Sequence, residues 1–168
     1  LVFGTGISGI SAVSLLESVQ ARVFNSHNTE LLNVEQVKEK LAADSKARII
    51  LGALSEDVIK TLDMVVLSPG VPTDIPVIEG FKKRGIPVWG EIELAYRLSK
   101  GRVVAITGTN GKTTTTTLVG KLMKNYFESV FVVGNIGNPY TEEAKEMVDE
   151  TVTVAEISSF QLETIEKF

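Results

Sequence analysis

No cysteine occurs among the 168 residues, which excludes disulfides and thiolate metal sites and is compatible with a reducing cytosol. No apolar run reaches the roughly eighteen residues a membrane-spanning helix needs, and no basic-then-apolar stretch reads as a signal segment. Positive charge is also in short supply: 17 Lys and Arg against 21 Asp and Glu leave a net charge of −4. That balance argues against a general nucleic-acid or membrane-surface binder, which needs a basic face. An anionic ligand must then be held by local glycine loops and helix ends, against a mildly unfavourable overall field. A starting methionine is missing, and the chain opens inside the apolar stretch Leu1-Val2-Phe3, so residues are expected to precede it. What remains is an ordinary globular mixture, 43% hydrophobic and 23% charged, long enough for one full domain or for one and part of another.

The most informative stretch is Val103-Val104-Ala105-Ile106-Thr107-Gly108-Thr109-Asn110-Gly111-Lys112-Thr113-Thr114. Val103 to Ile106 reads as a short buried strand, and a Gly-x-x-Gly-Lys-Thr loop leads from it into a helix. Such a loop turns backbone N–H groups and a helix N-terminus onto one point, which suits a polyphosphate. Lys112 adds a mobile positive charge for the outer phosphates, and the Thr113 hydroxyl can hold the accompanying Mg²⁺. Many P-loops carry a further glycine where Ile106 stands, so this is a shortened variant. A glycine-rich turn that binds nothing is the alternative, and the strand–loop–helix context with its Lys-Thr pair weighs against it.

A second glycine loop, Gly4-Thr5-Gly6-Ile7-Ser8-Gly9, lies between Leu1-Val2-Phe3 and the helical spacing of Ile10, Val13, Leu15 and Leu16. This is the arrangement that opens a Rossmann-type unit. The next strand, Ala21 to Phe24, ends at Asn25, where an NAD site would want Asp or Glu for the ribose hydroxyls. A helix from about Glu30 to Ala42, a strand Arg48–Leu51 and a short helix capped by Ser55 follow. Strand Met64–Leu67 runs into Ser68-Pro69-Gly70-Val71-Pro72, a rigid loop at the end of the sheet where open α/β folds bind ligands. A helix carrying Ile78 and Phe81 stops at Lys82-Lys83-Arg84-Gly85, a basic cluster that reads as a helix end rather than a phosphate site. Strand Ile86–Trp89 and a helix Glu91–Ser99 come next, with a domain boundary near Gly90.

Beyond the Lys-Thr loop, Thr113 to Thr117 form an unbroken run of threonine, a poor helix former. Packing and bound phosphate are expected to hold this helix start, with Leu118, Val119, Leu122 and Met123 on its inner side. Strand Ser129–Val133 ends at Gly134-Asn135-Ile136-Gly137, and Val152–Ala155 leads to Glu156, a carboxylate at a strand end where P-loop proteins serve the metal or its water. The expected fold is therefore α/β: a Rossmann-like parallel-sheet domain over residues 1–90, then a P-loop α/β domain over 91–168. The second shows too few strands for a complete nucleotide-binding sheet and is expected to end mid-domain.

Together these segments resemble the Mur ligase family, the ATP-dependent amide-bond ligases of peptidoglycan precursor synthesis. The resemblance runs in order through both glycine loops, Ser68–Pro72, Glu91-Ile92-Glu93-Leu94, Gly134–Gly137 and Glu156-Ile157-Ser158-Ser159-Phe160-Gln161-Leu162-Glu163. The Thr-Gly-Thr-Asn-Gly-Lys-Thr loop marks the family, and the Ser-Ser-Phe-Gln-Leu-Glu run points to the members that join D-glutamate to UDP-N-acetylmuramoyl-L-alanine. The resemblance implies that the first domain holds the UDP part of the substrate through Ile7, Ser8, Asn25, Ser26, His27, Ser68, Pro69 and Gly70. Asn25 and His27 depart from the Asp-Thr-Arg type of sequence common there. It also implies that ATP is held by Gly108, Thr109, Asn110, Gly111, Lys112, Thr113, Thr114 and Thr115. Lys112 and Glu156 would be catalytic, Thr113 and Glu156 would hold Mg²⁺, and Asn135, Ser158 and Gln161 would lie near the UDP-sugar. A cytoplasmic, monomeric enzyme is implied, with no nucleic acid or membrane partner. The family's remaining metal ligands and its third domain match nothing in this sequence, so no ligase turnover is expected of it alone.

Three rival readings stay open on sequence: a related ligase adding another amino acid, a non-catalytic UDP-sugar or nucleotide-binding module, and an NAD-dependent oxidoreductase built on the first glycine loop.

Overall fold

A computed structural model describes residues 1–27 and 32–168. The chain divides into two compact units, Leu1–Glu91 and Ile92–Phe168.

In the first unit the elements alternate strictly: β1 Val2–Phe3, α1 Ile7–Ser18, β2 Phe24–His27, α2 Val34–Lys38, β3 Arg48–Leu51, α3 Glu56–Ile59, β4 Val65–Leu67, α4 Pro76–Lys83 and β5 Val88–Gly90. All five strands are parallel, in the order β3-β2-β1-β4-β5. Parallel strands covered on both faces read as continuous apolar runs, and Val65, Val66 and Leu67 are all buried. Leu1, Phe3, Phe24, Val65, Leu67, Ile78 and Phe81 form one continuous core. Strand order reverses beside β1: the chain leaves β1 towards β2 and β3, then returns to build β4 and β5 on the other side. The loops after β1 and β4 leave the sheet at this switch point, the place where such sheets bind ligands.

Several boundaries differ from the sequence expectation. The second strand is Phe24–His27 rather than Ala21–Phe24, so Asn25, Ser26 and His27 belong to the sheet instead of following it. Residues Asn25 and Ser26 are fully buried. Two polar residues inside a strand break the apolar signal, which is why the run Ala21–Phe24 looked like the whole element. The helix expected from Glu30 to Ala42 is shorter, Val34–Lys38, capped by the Asn33 side chain accepting the Glu35 N–H at 2.9 Å. Glu30 and Leu31 lie outside the described residues. Ser55 caps α3 through the Val58 N–H, and α4 closes with Gly85 at φ +72°.

The second unit takes α5 Glu91–Leu98, β6 Arg102–Ile106, α6 Lys112–Met123, β7 Val130–Gly134, α7 Tyr140–Glu143 and β8 Val152–Glu156, with short 3-10 helices at Ala144–Glu146 and Phe160–Thr164. Its three strands are parallel in the order β6-β8-β7, with β8 buried along its length. The inner face of α6 is only in part the expected one, with Val119 and Met123 half-buried. Leu118 and Leu122 are 56% and 50% exposed, whereas Thr116 and Gly120 are buried. A Cβ on Gly120 would stand 2.4 Å from Val132 Cγ2, so the helix lies against β7 at a distance only small residues permit. No helix among the described residues is long and apolar enough to cross a membrane.

Candidate functional site

Each sheet gathers its glycine loop and polar residues at the carboxyl ends of its strands. In the first unit Gly6 caps α1 and leaves its first N–H groups without a side-chain acceptor. Gly4, at φ +126°, and Gly9 are pressed against their surroundings: a Cβ would come within 2.3 Å of Ser68 Oγ at Gly4 and within 2.3 Å of the Gly4 carbonyl at Gly9. Ser68, at the end of β4, therefore closes directly on the glycine loop, although the two are 64 positions apart in sequence. A Cβ on Gly6 meets nothing within 4 Å, so the space over the helix start is open. Ile7, at 72% exposure, and half-buried Ser8 stand beside it.

Asn25 Nδ2 donates to the Gly4 carbonyl at 2.8 Å. This commits the amide to shaping the loop. Asn25 Oδ1, Ser26 Oγ and Ser68 Oγ are buried and have no hydrogen-bond partner. Unpaired buried polar atoms cost about 1–3 kcal/mol each, and three of them around one glycine loop suit a polar ligand. A dinucleotide would need a carboxylate at the end of β2, and neither Asn25 within the strand nor His27 at its end supplies one. Half-buried His27 ends the strand, and exposed Pro69 and Gly70 continue the loop from Ser68.

In the second unit the register does the assembling. Glu156 is the strand partner of Ile106 on one side and of Gly134 on the other. The Lys-Thr loop, Glu156 and the Gly134–Gly137 turn thus leave the same end of one sheet. The Ile157 N–H donates to the Ile106 carbonyl and the Asn135 N–H to the Glu156 carbonyl, both at 2.9 Å. Gly134 sits at φ +99°, and a Cβ there would meet the Glu156 carbonyl at 2.2 Å; only glycine lets the turn pass so close.

The loop from Gly108 to Gly111 is exposed, as are Thr113, Thr114 and Thr115. Gly111 caps α6 in the left-handed region at φ +76°, again with no side chain satisfying the first N–H groups. Lys112 Nζ curls back to donate to the Gly108 carbonyl at 2.7 Å. Its ammonium thus hangs over the loop, where an anion would draw it away. Glu156 is 2% exposed, and its Oε2 has no hydrogen-bond partner. A buried carboxylate oxygen left unpaired beside a phosphate-type loop fits a cation. Among the described residues no group of three or more His, Asp or Glu forms a metal cage. Mg²⁺ takes few protein ligands and keeps waters and phosphate oxygens, and the Glu156 carboxylate and the Thr113 hydroxyl are the groups here that could hold it.

After Glu156 the chain makes a tight turn. The Ser158 N–H donates to Gln161 Oε1 at 2.8 Å, so Gln161 is buried and held by its own turn. Glu93 enters the sequence reading only within Glu91-Ile92-Glu93-Leu94 and is given no role there. It is fully buried on α5 and accepts the N–H groups of Glu166, Lys167 and Phe168. Its sequence signal is its place in that segment, with Arg97 four residues on along α5.

Comparison with known proteins places both units. Residues 1–90 match the Mur ligase MurD-like N-terminal domain, and residues 106–168 match the Mur ligase middle domain. Over all 168 residues the chain is 56% identical to the UDP-N-acetylmuramoylalanine–D-glutamate ligases of Lachnoclostridium phytofermentans and Lachnospira eligens, covering 37% of each. The chain thus spans about 37% of the length of these curated relatives. Among solved structures, the murein peptide ligase mpl of Psychrobacter arcticus aligns over 95% of this chain and 38% of its own, with a TM-score of 0.51 and 14% identity. That likeness concerns the fold. With an N-terminal domain and a middle domain of one family in succession, the chain belongs to the Mur ligases.

Proposed function

We propose that this chain provides the UDP-substrate-binding and nucleotide-binding parts of an ATP-dependent ligase that joins D-glutamate to UDP-N-acetylmuramoyl-L-alanine. The observation that supports this best is the register Ile106–Glu156–Gly134, which puts an unpaired buried carboxylate oxygen at the sheet end from which the Lys112 loop departs. The names borne by the relatives supply the substrates.

In this reading the N–H groups of Gly108 to Thr115 cradle ATP and Lys112 leaves the Gly108 carbonyl for the β- and γ-phosphates. Thr113 and Glu156 would hold Mg²⁺, which would supply charge neutralisation where two anions meet. The substrate carboxylate attacks the γ-phosphorus, the bond to the ADP oxygen breaks, and an acyl phosphate forms. The amine of D-glutamate then displaces phosphate and loses a proton. Lys112 contributes by stabilising the negative charge that accumulates on the transferring group. Ile7, Ser8, Asn25, Ser26, His27 and Ser68–Gly70 line the UDP side, and Asn135, Ser158 and Gln161 the sugar side.

Calorimetric titration with UDP-N-acetylmuramoyl-L-alanine and with NAD tests the reading. The first is expected to bind and the second not. Binding of NAD, or of neither ligand, contradicts it.

A further inference from the structure

We infer that Glu93 is a positioning residue for the turn that carries Ser158 and Gln161. Glu93 lies on α5, far in sequence from that turn, and touches none of the residues assigned to ligand. Its carboxylate accepts the Glu166 N–H at 2.9 Å, the Lys167 N–H at 3.1 Å and the Phe168 N–H at 3.1 Å, and also the Arg97 guanidinium. Three successive backbone N–H groups aimed at one carboxylate reproduce the way a side chain caps a helix start, here supplied from another element. The grip is reinforced on both sides. Arg97 donates to Glu166 Oε2 at 2.7 Å, and the Tyr96 ring meets Phe168 edge-to-face with centroids 5.3 Å apart.

A buried carboxylate is an expensive way to gain stability, because desolvation offsets most of what its partners return. What it does supply is a fixed position. The chain from Glu156 to Glu166 is tied at its near end by the Ile157 N–H to the Ile106 carbonyl at 2.9 Å. Its far end is tied by Glu93. Between these anchors lies the turn in which the Ser158 N–H meets Gln161 Oε1. Burial alone would raise the Glu93 carboxyl, but the N–H of Glu166, the Arg97 guanidinium and the N–H groups of Lys167 and Phe168 hold it below the ordinary carboxylate range. The anchor is therefore ionised at neutral pH. An amide in its place would face N–H donors with a donor of its own.

The link to substrate rests on the proposed function, in which this turn faces the UDP-sugar. Hydrogen exchange on the whole chain, followed by titration, separates the two claims. In Glu93→Gln the Ser158 amide is expected to exchange about tenfold faster, the scale of one hydrogen bond to a charged group, with Val154 in β8 unchanged. UDP-N-acetylmuramoyl-L-alanine affinity should fall by about tenfold while ATP affinity stays within about twofold. Arg97→Gln, which removes one donor of the four, should move both readouts less and in the same direction. It keeps the test decisive if Glu93→Gln fails to fold. Unchanged Ser158 exchange in the variants, or equal acceleration at Val154, overturns the positioning role. Faster Ser158 exchange with unaltered UDP-sugar affinity overturns its link to substrate. Should the unmodified chain bind no UDP-sugar, the functional reading fails, while Ser158 exchange still decides what Glu93 does.

Discussion

The two glycine loops follow the first strand of their sheets and each opens a helix, yet glycine answers a different need in each. In the first loop the requirement is space, joined at Gly4 by a φ of +126°. A side chain at Gly4 or Gly9 would run into Ser68 or into the loop's own backbone, and the Asn25 amide pins the Gly4 carbonyl from β2. In the second loop the requirement is conformation. A Cβ on Gly111 meets nothing within 4 Å and one on Gly108 only the Asn110 carbonyl at 3.9 Å, but their φ values are +76° and +146°. One loop is shaped mainly by what packs against it, the other by its own backbone alone, with an exposed surface and a lysine resting on a replaceable partner. Similar glycine spacing thus conceals a built wall in one case and an open cradle in the other.

The comparison can be broken most forcefully at Lys112. In a ligase of the relatives' full length, Lys112→Ala is expected to lower ATP-dependent phosphate release by about 100-fold or more, as for removal of one preorganised charge-stabilising donor. A fall of less than about tenfold would place the lysine outside the chemistry. Next in size is Gly9→Ala, whose Cβ meets backbone. It should cost the first unit about 1–3 kcal/mol, read as a lower urea midpoint by the fluorescence of Trp89, the only tryptophan, in β5. Gly111→Ala should cost about 1–2 kcal/mol through left-handed strain alone. It should speed amide exchange at the start of α6 and leave the Trp89 transition where it was. If it shifts that transition as far as Gly9→Ala does, the distinction between the loops fails.

The smallest effect concerns acid. Glu93 is held below its ordinary value of 4.5, so the stability it contributes is present above that value and is lost as pH falls through the lowered one. The gap in Ser158 amide protection between the unmodified chain and Glu93→Gln, taken relative to the intrinsic exchange rate at each pH, should hold steady near neutrality and close in acid. A gap that widens in acid would contradict the assigned direction.

Much of this was legible in the residues. Both glycine loops, the strand–helix alternation and the carboxylate at the end of β8 follow from short-range patterns that the backbone obeys directly. Other features depend on what lies across the sheet. Asn25 and Ser26 could not be recognised as strand because their burial is granted by neighbouring strands and by the Gly4 carbonyl. The inner face of α6 was read correctly at half-buried Val119 and Met123 but not at exposed Leu118 and Leu122. Close approach to Val132 selects Thr116 and Gly120 instead, and no periodicity announces that. Glu93 was given no role because its partners are backbone N–H groups more than 70 residues away. The strand order that sets Ser68 against Gly9 is likewise a property of topology alone.

The central claim is that Glu156 completes a cation site beside the Lys112 loop. Calorimetric titration of the chain and of Glu156→Gln with a non-hydrolysable ATP analogue, with and without Mg²⁺, tests it most directly. The account predicts that Mg²⁺ strengthens binding to the unmodified chain and that Glu156→Gln abolishes this enhancement while leaving metal-free binding intact. Equal enhancement by Mg²⁺ in both proteins would contradict it.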